Sequence, residues 1–567
     1  MPEILFDQRR DFTGGVNFRA DQFQLKPNET PSILNLEVDP RGGVFSRAGY
    51  KKFHTTEIVA TTASKGLFNY KHPTTPVVMF TTAFQSPTDG TVQRSTGGDF
   101  STLDSSASTP LEVKSINGAS FTQWEDVLYI ALGASAPAGY KWTVGNTYAT
   151  ALTASGPNWQ PYDIPAGGYM PRAELVKAHA NKLFVANTYE DGVAYPNRLR
   201  WSHENLPEDW FQQDYIDIIA GGEGIRGIEI IDGQLLIFKP KAVYLLMGYD
   251  VDSFQLVEVS TTVGIDFPQQ AVAGNNGVYF FDYPLGLHFY NRNGLQNIFE
   301  RLNPIIINNQ INAEYLFDVT LSFINDRLWM SMPFDNTDSG TFPEYPNVNF
   351  VFDASIGAQG AYTMFQSAEY TNTTPGVTKV GYGLVSGVDW ENADGEVYHL
   401  MINPDTDFNY VFYVDDYEYD NDDTDSGSQT GDFSTEYITS WFYDDRYVQD
   451  KTFVNTVYVV KGVSEETQIR VNAYHDFNSQ FVAATHTVRL IPVSTGGIFG
   501  TGDFGTDIFG LDTLREGIQV GGRLKTAKAV QLEFSGPTAL LTDTPGRAWG
   551  INSIAFKFKR RKVRSNM

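Results

Sequence analysis

The chain has 567 residues, enough for about two to four domains and a large hydrophobic core. It contains no cysteine, which excludes disulfides, thiolate metal sites and thiol nucleophiles. Its 41 Lys and Arg stand against 67 Asp and Glu, and the resulting net charge of −26 disfavours phosphate binding as its main activity. No apolar run is long enough to cross a membrane, so we expect a soluble protein without a secretion signal or membrane insertion.

Composition also indicates the fold class. Aromatic residues make up 14% of the chain and glycine occurs 51 times, while Thr and Val are plentiful. This mixture is typical of many short strands joined by tight turns. We therefore expect an all-β protein.

One unit recurs seven times along the chain: a polar turn followed at once by a short run of β-branched or aromatic residues. The runs are 75–80, 126–130, 182–185, 234–238, 277–281, 327–330 and 396–400. Taking residues 78, 128, 183, 235, 278, 328 and 397 as equivalent gives intervals of 50, 55, 52, 43, 50 and 69 residues. A period near fifty with several strands per unit predicts a β-propeller of about six or seven blades. The alternative is one or two β-sandwiches, which seldom give so many equivalent units.

Changes in composition divide the chain into four segments. We expect an N-terminal arm and docking segment at 1–55, the propeller at 56–410 and an acidic linker loop at 411–432. Strand-like alternation returns afterwards, which predicts a C-terminal β-sandwich-like domain at 433–567. A glycine-rich stretch near 494–505 is interpreted as a long loop in that domain.

The usual catalytic and cofactor motifs are absent or lack their context. Gly222, Gly224 and Gly227 satisfy a dinucleotide-binding pattern, but the β-branched run after them predicts a strand where that site needs a helix. A phosphate-binding loop and a nucleophile elbow are both missing. We therefore expect no cofactor, no catalytic residues and no enzymatic activity.

A propeller glycosidase is the main enzymatic alternative, because such enzymes use paired carboxylates. The candidates are Asp209, Asp214 and Asp217, which are close in sequence to Trp201 and Trp210. In so acidic a chain, solvated carboxylates are the more common interpretation.

Asp420, Asp422 and Asp425 alternate in a way that suggests a weak calcium site. The segment lacks the glycine and the closing glutamate of a calcium-binding loop, so a solvated acidic loop is the favoured interpretation and no metal is expected.

The end of the sequence is strongly basic. Its candidate partner-docking residues are Lys557, Lys559, Arg560, Arg561, Lys562 and Arg564. They suit DNA or an acidic protein neighbour, while alternation with Phe556 and Phe558 is also typical of a charged edge strand. We favour docking to protein over DNA clamping.

Three stretches resemble the β-propeller proteins that form the nozzle, or distal tail tube, of short-tailed, podovirus-type bacteriophages. The first comprises 11–17, 24–30, 35–44 and 47–50; the second comprises 197–202, 206–210, 215–218 and 232–248; the third comprises 450–453, 473–476 and 547–554. The matches are short, extend over the whole chain and include no catalytic signature.

The resemblance implies architecture rather than chemistry. It implies a structural protein of the virion tail, assembled in the host cytoplasm as a homo-oligomeric ring, a hexamer, beneath a tail adaptor and near tail fibres or spikes. Double-stranded DNA would pass through the ring during genome ejection without specific binding, because an acidic lumen repels phosphate. The alternative within the tail is a receptor-binding or glycan-processing propeller protein, and a cellular propeller scaffold is a further one.

Overall fold

The protein is described here from a computed structural model, which covers residues 4–560 with internal gaps. The residues outside the description are 1–3, 22, 59–61, 154–167, 221–222, 336–344, 357–359, 368–369, 372–377, 380, 405–408, 416–421, 424–429, 432, 444–449, 462–466, 491–514, 520–525, 537–548 and 561–567.

The chain forms a seven-bladed β-propeller, each blade being an antiparallel sheet whose first strand lies nearest the axis. Blades 1 and 2 contain Ser64–Tyr70, Val77–Thr82, Gly90–Ser95 and Ser101–Thr102, then Ser120–Trp124, Val127–Ala131, Gly139–Trp142 and Thr150–Leu152. Blades 3 and 4 contain Arg172–His179, Lys182–Glu190, Val193–Trp201 and Tyr215–Asp217, then Gly227–Ile231, Gln234–Lys239, Ala242–Met247 and Gln255–Ser260. Blades 5 and 6 contain Ala271–Gly274, Gly277–Asp282, Gly286–Asn291 and Gly294–Asn297, then Thr320–Ile324, Arg327–Met332, Val348–Asp353 and Ala361–Phe365. Blade 7 contains Val385–Glu391, Val397–Ile402, Val411–Val414 and Lys51–Lys52.

The propeller prediction is confirmed, and the seven recurring runs are the second strands of the seven blades. Turns of two residues join the first and second strands in blades 2 to 6. Asn181, Asp232 and Asn325 adopt the positive φ that such turns need, which explains the Asn and Asp residues in the pattern. In blade 7 the turn before the second strand is longer, since Glu391 pairs with Val397 and five residues lie between them.

The ring closes between blade 7 and blade 1. The N–H of Leu67 in blade 1 donates to Ser386 Oγ in blade 7 at 3.0 Å. The fourth strand of blade 7 comes from the N-terminal segment, since Lys51–Lys52 pairs with Val411–Val414. The last blade is thus built from both ends of the propeller sequence.

Two sheets form the C-terminal β domain. The order in the first is Arg515–Gln519, Lys451–Lys461, Gly550–Arg560, Val44–Ser46 and Leu36–Val38, with Ile4–Arg9 beside Gly550–Arg560 and Thr526–Ala527 beside Lys451–Lys461. The second continues from the outermost strand of blade 6 through Ser32–Leu34, Thr435–Ile438, Val530–Gly536, Thr467–His475 and Asn478–Leu490. Tyr437 and Phe534 from one sheet and Ile554 and Phe556 from the other share a buried core, as in a β-sandwich.

The N-terminal segment connects the two domains. Ser32–Leu34 lies between blade 6 and the C-terminal sheet, pairing in parallel with the former and antiparallel with the latter. Phe12, Ile33 and Leu36 belong to one hydrophobic core that extends from blades 5 and 6 to the C-terminal domain. The segment therefore docks within its own chain.

The remaining elements are short. Two-stranded pairs are Gly15–Val16 with Glu29–Thr30, Asp104–Ser106 with Thr109–Pro110, Tyr370–Thr371 with Thr378–Lys379, and Asp422–Asp423 with Thr430–Gly431, while Glu112–Val113 adds to blade 1. The helices are Asn303–Ile307 and the 3-10 helices Pro268–Gln270 and Ala313–Asp318. In the described part of the chain, no helix has the length and apolarity needed to span a bilayer.

Candidate functional site

A small cavity of about 230 Å³ lies at the axis of the propeller. Of the charged side chains that line it, Lys177 Nζ lies 2.8 Å from Glu229. The 3-10 helix Ala313–Asp318 lies over one mouth: Lys65 Nζ of blade 1 contacts Asp318 at 2.7 Å, and Gln270 Nε2, which precedes blade 5, donates to Leu316 O at 3.0 Å. Blades 1 and 5 are not neighbours, so the helix spans the mouth. A DNA duplex has no path through this axis.

The carboxylates proposed for a glycosidase do not converge in an open cleft. Asp217 forms a bidentate pair with Arg198, at 2.8 and 2.9 Å. Asp209 and Asp214 are buried, and burial raises the pKa of Asp214, although the nearby Arg200 opposes this shift. Trp201 and Trp210 are buried as well. Asp209, Asp214 and Asp217 therefore do not form the pair of carboxylates in an open cleft that the glycosidase interpretation requires.

The same blade contains a buried ion-pair cluster that sequence reasoning did not identify. Glu190 accepts hydrogen bonds from Arg198 at 3.0 Å and from Arg200 at 2.9 Å, and Arg200 is almost fully buried. The Arg198 guanidinium also stacks against the rings of Tyr195 and Tyr215. Because these groups satisfy one another, the cluster fixes the blade rather than offering a reactive group.

Asp422 has a structural partner in place of a cation. Its two carboxylate oxygens accept from Arg47 at 2.9 and 2.7 Å, and one also accepts the N–H of Tyr50 at 2.9 Å. Both side chains of the pair are only 1% exposed. The calcium interpretation is corrected at this residue, since its oxygens are occupied by protein donors. Asp420 and Asp425 lie outside the described residues.

The basic segment contains an interior strand, not the edge strand considered from the sequence. Gly550–Arg560 pairs with Ile4–Arg9 on one side and with Lys451–Lys461 on the other. Lys559 lies opposite Ile4 and Thr452, and the backbones of Lys557 and Arg560 lie opposite Asn455 and Lys451 of the strand Lys451–Lys461. Arg561, Lys562 and Arg564 lie outside the described residues. The docking prediction for these six residues stays a prediction.

Blade 4 presents the longest uncovered outer strand among the described blades. Gln255–Ser260 has six residues, whereas the free outer strands of blades 1, 2, 3 and 5 have two to four. Val257 is 41% exposed, and Met247, Tyr249 and Val251 are exposed nearby. The strand contains no Lys or Pro, and its protection against pairing with another chain is limited to Glu258 and a bulge near Val259.

A larger cavity, about 870 Å³, lies between blades 5 and 6. Aromatic side chains form much of its wall: Tyr279, Phe289, Phe323, Phe352 and Tyr362. Amide side chains surround it: Asn275, Asn276, Asn291, Gln296 and Asn297. Sequence reasoning missed this cavity because its residues come from six strands of two blades and the turns beside them.

Among the described residues, no cluster of three or more His, Asp or Glu side chains is placed to hold a metal ion. The strand Gly227–Ile231 directly follows Arg226, where a dinucleotide site would need a helix.

Comparison with known proteins gives no family. No family model matches the sequence, and no curated protein matches it. Among solved structures, the chain is similar to two crystal structures of BBS1N in complex with ARL6DN, one soaked with mercury and the other with lead. Both are 8% identical and cover 65% of this chain and 98% of theirs, with TM-scores of 0.35 and 0.33. A likeness of this degree carries no inference about function.

Proposed function

We propose that the protein is a structural subunit of a short phage tail, where copies form a nozzle ring beneath the tail adaptor. The observation that carries the proposal is the uncovered outer strand of blade 4. A six-residue edge with exposed apolar side chains is suited to pairing with another chain along the part that precedes its bulge. The resemblance of the sequence to tail nozzle proteins is the basis for proposing that this pairing builds a ring in the tail.

The geometry of a ring accounts for the position of this edge. Identical subunits that contact head to tail close into a ring when one surface of each copy meets a different surface of the next. Blade 4 lies across the propeller from the Lys51–Lys52 strand that completes blade 7, so its edge faces away from the site of intramolecular closure. We propose a hexamer in the particle.

The DNA path then runs through the centre of the ring and not through any single propeller, whose axis holds only a small cavity that the helix Ala313–Asp318 covers at one mouth. The net charge of −26 per subunit disfavours adhesion of the duplex to the wall.

Two matched variants test the contact. A lysine at Val257 places a charge on the edge and should lower incorporation of the protein into tails by about tenfold. Val397→Lys is the control, since Val397 is 55% exposed but lies on blade 7. Incorporation is measured as the amount of this chain in purified particles.

Electron cryo-microscopy of the particle provides the direct test. We expect a ring of six copies with Gln255–Ser260 at each contact between subunits. A trimeric fibre, or equal incorporation of both lysine variants, would contradict the proposal.

A further inference from the structure

The cavity between blades 5 and 6 has a wall of aromatic faces. The ring centroids of Tyr279 and Phe289 are 4.5 Å apart, and the rings of Tyr279 and Phe323 lie nearly parallel at 6.0 Å. Phe352 and Tyr362 form a second pair at 4.7 Å on the blade 6 side. Phe289 and Phe323 are only half-buried, so each keeps part of its surface open to the cavity.

Glycines next to the cavity leave room for these rings. A Cβ at Gly360 would lie 2.3 Å from the ring of Phe352, and Gly360 has a φ of +71°, which other residues rarely adopt. A Cβ at Gly277 would lie 2.6 Å from the ring of Phe289. Larger residues at these positions would push the rings into the space that is now open.

The charged groups at the rim are already paired. Glu300 contacts Arg19 at 2.6 Å, and Asp326 accepts from the amide of Asn275. Arg301 donates to the carbonyl oxygens of Gly14 and Gly360 at 2.8 and 3.0 Å. A ligand with phosphate or carboxylate groups would therefore find no unpaired cation among the described residues of the lining.

The free polar groups are neutral amides. The side chains of Asn276 and Gln296 make no hydrogen bond to other described residues, and both are exposed at the cavity. Each amide offers two N–H donors and a carbonyl acceptor. Such groups pair well with adjacent hydroxyls, each of which both donates and accepts.

We propose that this cavity binds a neutral saccharide. A pyranose ring has a face of C–H groups, which the negative faces of aromatic rings attract, and an edge of hydroxyls, which amides bind. The volume of about 870 Å³ is within the range of small-molecule sites. A nucleotide would stack on the same rings, but its phosphates need a cation and the chain is strongly acidic. The inference does not depend on ring assembly.

Saturation-transfer NMR with the full chain tests the proposal. The probes are unbranched hexasaccharides of glucose, galactose, mannose and N-acetylglucosamine, each added separately. We expect transfer from the protein to the ring C–H protons of at least one of them. The titration should show about fivefold weaker binding for Gln296→Ala, because one hydrogen-bonding amide is lost.

Gln480→Ala is the matched control: Gln480 is also an exposed glutamine on an outermost strand, but on Asn478–Leu490 of the C-terminal domain and outside the cavity. Phe289→Ala should weaken binding further, and its circular dichroism spectrum checks folding. The proposal is overturned if none of the four saccharides shows transfer, or if transfer is equal in the unmodified protein and Gln296→Ala. Selective weakening in Gln296→Ala, with Gln480→Ala unchanged, would support it.

Discussion

Asp282, at the end of the second strand of blade 5, is a carboxylate with little access to water. Its side chain accepts the N–H of Gly264 at 2.7 Å, and the residue is 7% exposed. Burial raises the pKa of Asp282 to about 6; the neighbouring Asp266 acts in the same direction, while the Gly264 hydrogen bond opposes the shift. Asp282 therefore gains its charge in the folded protein only at a pH well above that of an ordinary aspartate.

The pKa of Asp282 predicts a pH dependence of stability. Between about 4, the pKa of an unfolded aspartate, and about 6, the folded protein binds more protons than the unfolded chain. The free energy of unfolding should therefore fall as the pH rises through this window. Asp282→Asn removes the effect, because asparagine is neutral throughout.

The measurement is the melting temperature at pH 4.5 and pH 7.5. We expect the melting temperature of Asp282→Asn to increase relative to that of the unmodified protein as the pH rises. The melting temperature of Asp252→Asn, which changes a residue on an exposed loop, should show no such increase. A difference between variant and unmodified protein that stays constant over this range would show that Asp282 is not the group responsible.

At the scale of single residues, the sequence predicts the conformation where local backbone geometry determines it. The polar turns that precede the recurring runs contain Asn181, Asp232 and Asn325, whose short side chains tolerate positive φ, and all three residues adopt it. Asp422 was not predictable, since its partner Arg47 is 375 residues away in sequence. A run of carboxylates in the sequence predicts a solvated loop, because the neighbouring residues do not show that the fold places a guanidinium beside one of them.

Among the elements, the N-terminal strand that completes blade 7 lies beside the closure of the ring. Phe53 follows it directly and packs edge to face with Trp390 at 5.5 Å and Tyr413 at 5.4 Å, both in blade 7. It also contacts Phe100, in the loop at the outer edge of blade 1. One side chain thus joins the first and last blades.

We expect Phe53→Ala to loosen this joint. Removing a buried aromatic ring costs about 3 to 5 kcal/mol, and here the loss falls on the closure between blades 7 and 1. Hydrogen exchange followed by mass spectrometry should show faster exchange in Val385–Glu391 and Ser64–Tyr70, with Gln234–Lys239 of blade 4 little changed.

Ile307→Ala, at an exposed position of the Asn303–Ile307 helix, is the control and should leave all three strands unaffected. Equal acceleration in every blade would mean that Phe53 supports the whole core rather than the closure.

The elements were predictable to the extent that they are local. The second strand of every blade follows from a turn and an apolar run, whereas the N-terminal strands carry no sign of their distant partners. Ser32–Leu34 joins blade 6 to the C-terminal domain, and Gly550–Arg560 is interior because Ile4–Arg9 covers it. The edge interpretation of the basic strand failed for this reason. The aromatic cavity was missed likewise, since Tyr279 and Phe323 read as ordinary core residues in their own strands.

At the scale of the whole molecule, charge and topology lead to one expectation about DNA. The chain has a net charge of −26, its propeller axis holds only a small cavity of about 230 Å³, and Lys559 lies in a strand that is paired on both sides. We expect the purified protein not to retain a linear duplex at physiological salt.

Fluorescence anisotropy of a labelled duplex at several salt concentrations measures this. Exchange of Lys559, Arg560 and Arg561 to Glu should leave DNA behaviour unchanged but reduce incorporation into particles, if the segment docks to protein. A protein that clamps DNA would give the opposite result. It would retain the duplex, its binding constant would fall with salt concentration with a log–log slope of about −0.9 for each neutralised phosphate, and the triple variant would lose binding.

The strands contributed by the N-terminal segment can pair only after their distant partners have been synthesised. His54 Nε2 accepts the N–H of Val411 at 3.0 Å, and these residues are 357 positions apart. A ribosome adding about 5 to 20 residues per second needs roughly 20 to 70 seconds to make the second partner after the first. The contact between Ser46 and Trp549 can form only later still, because the two residues are 503 positions apart. The propeller therefore closes only after most of its chain has been made, and a truncated product is left with an open last blade.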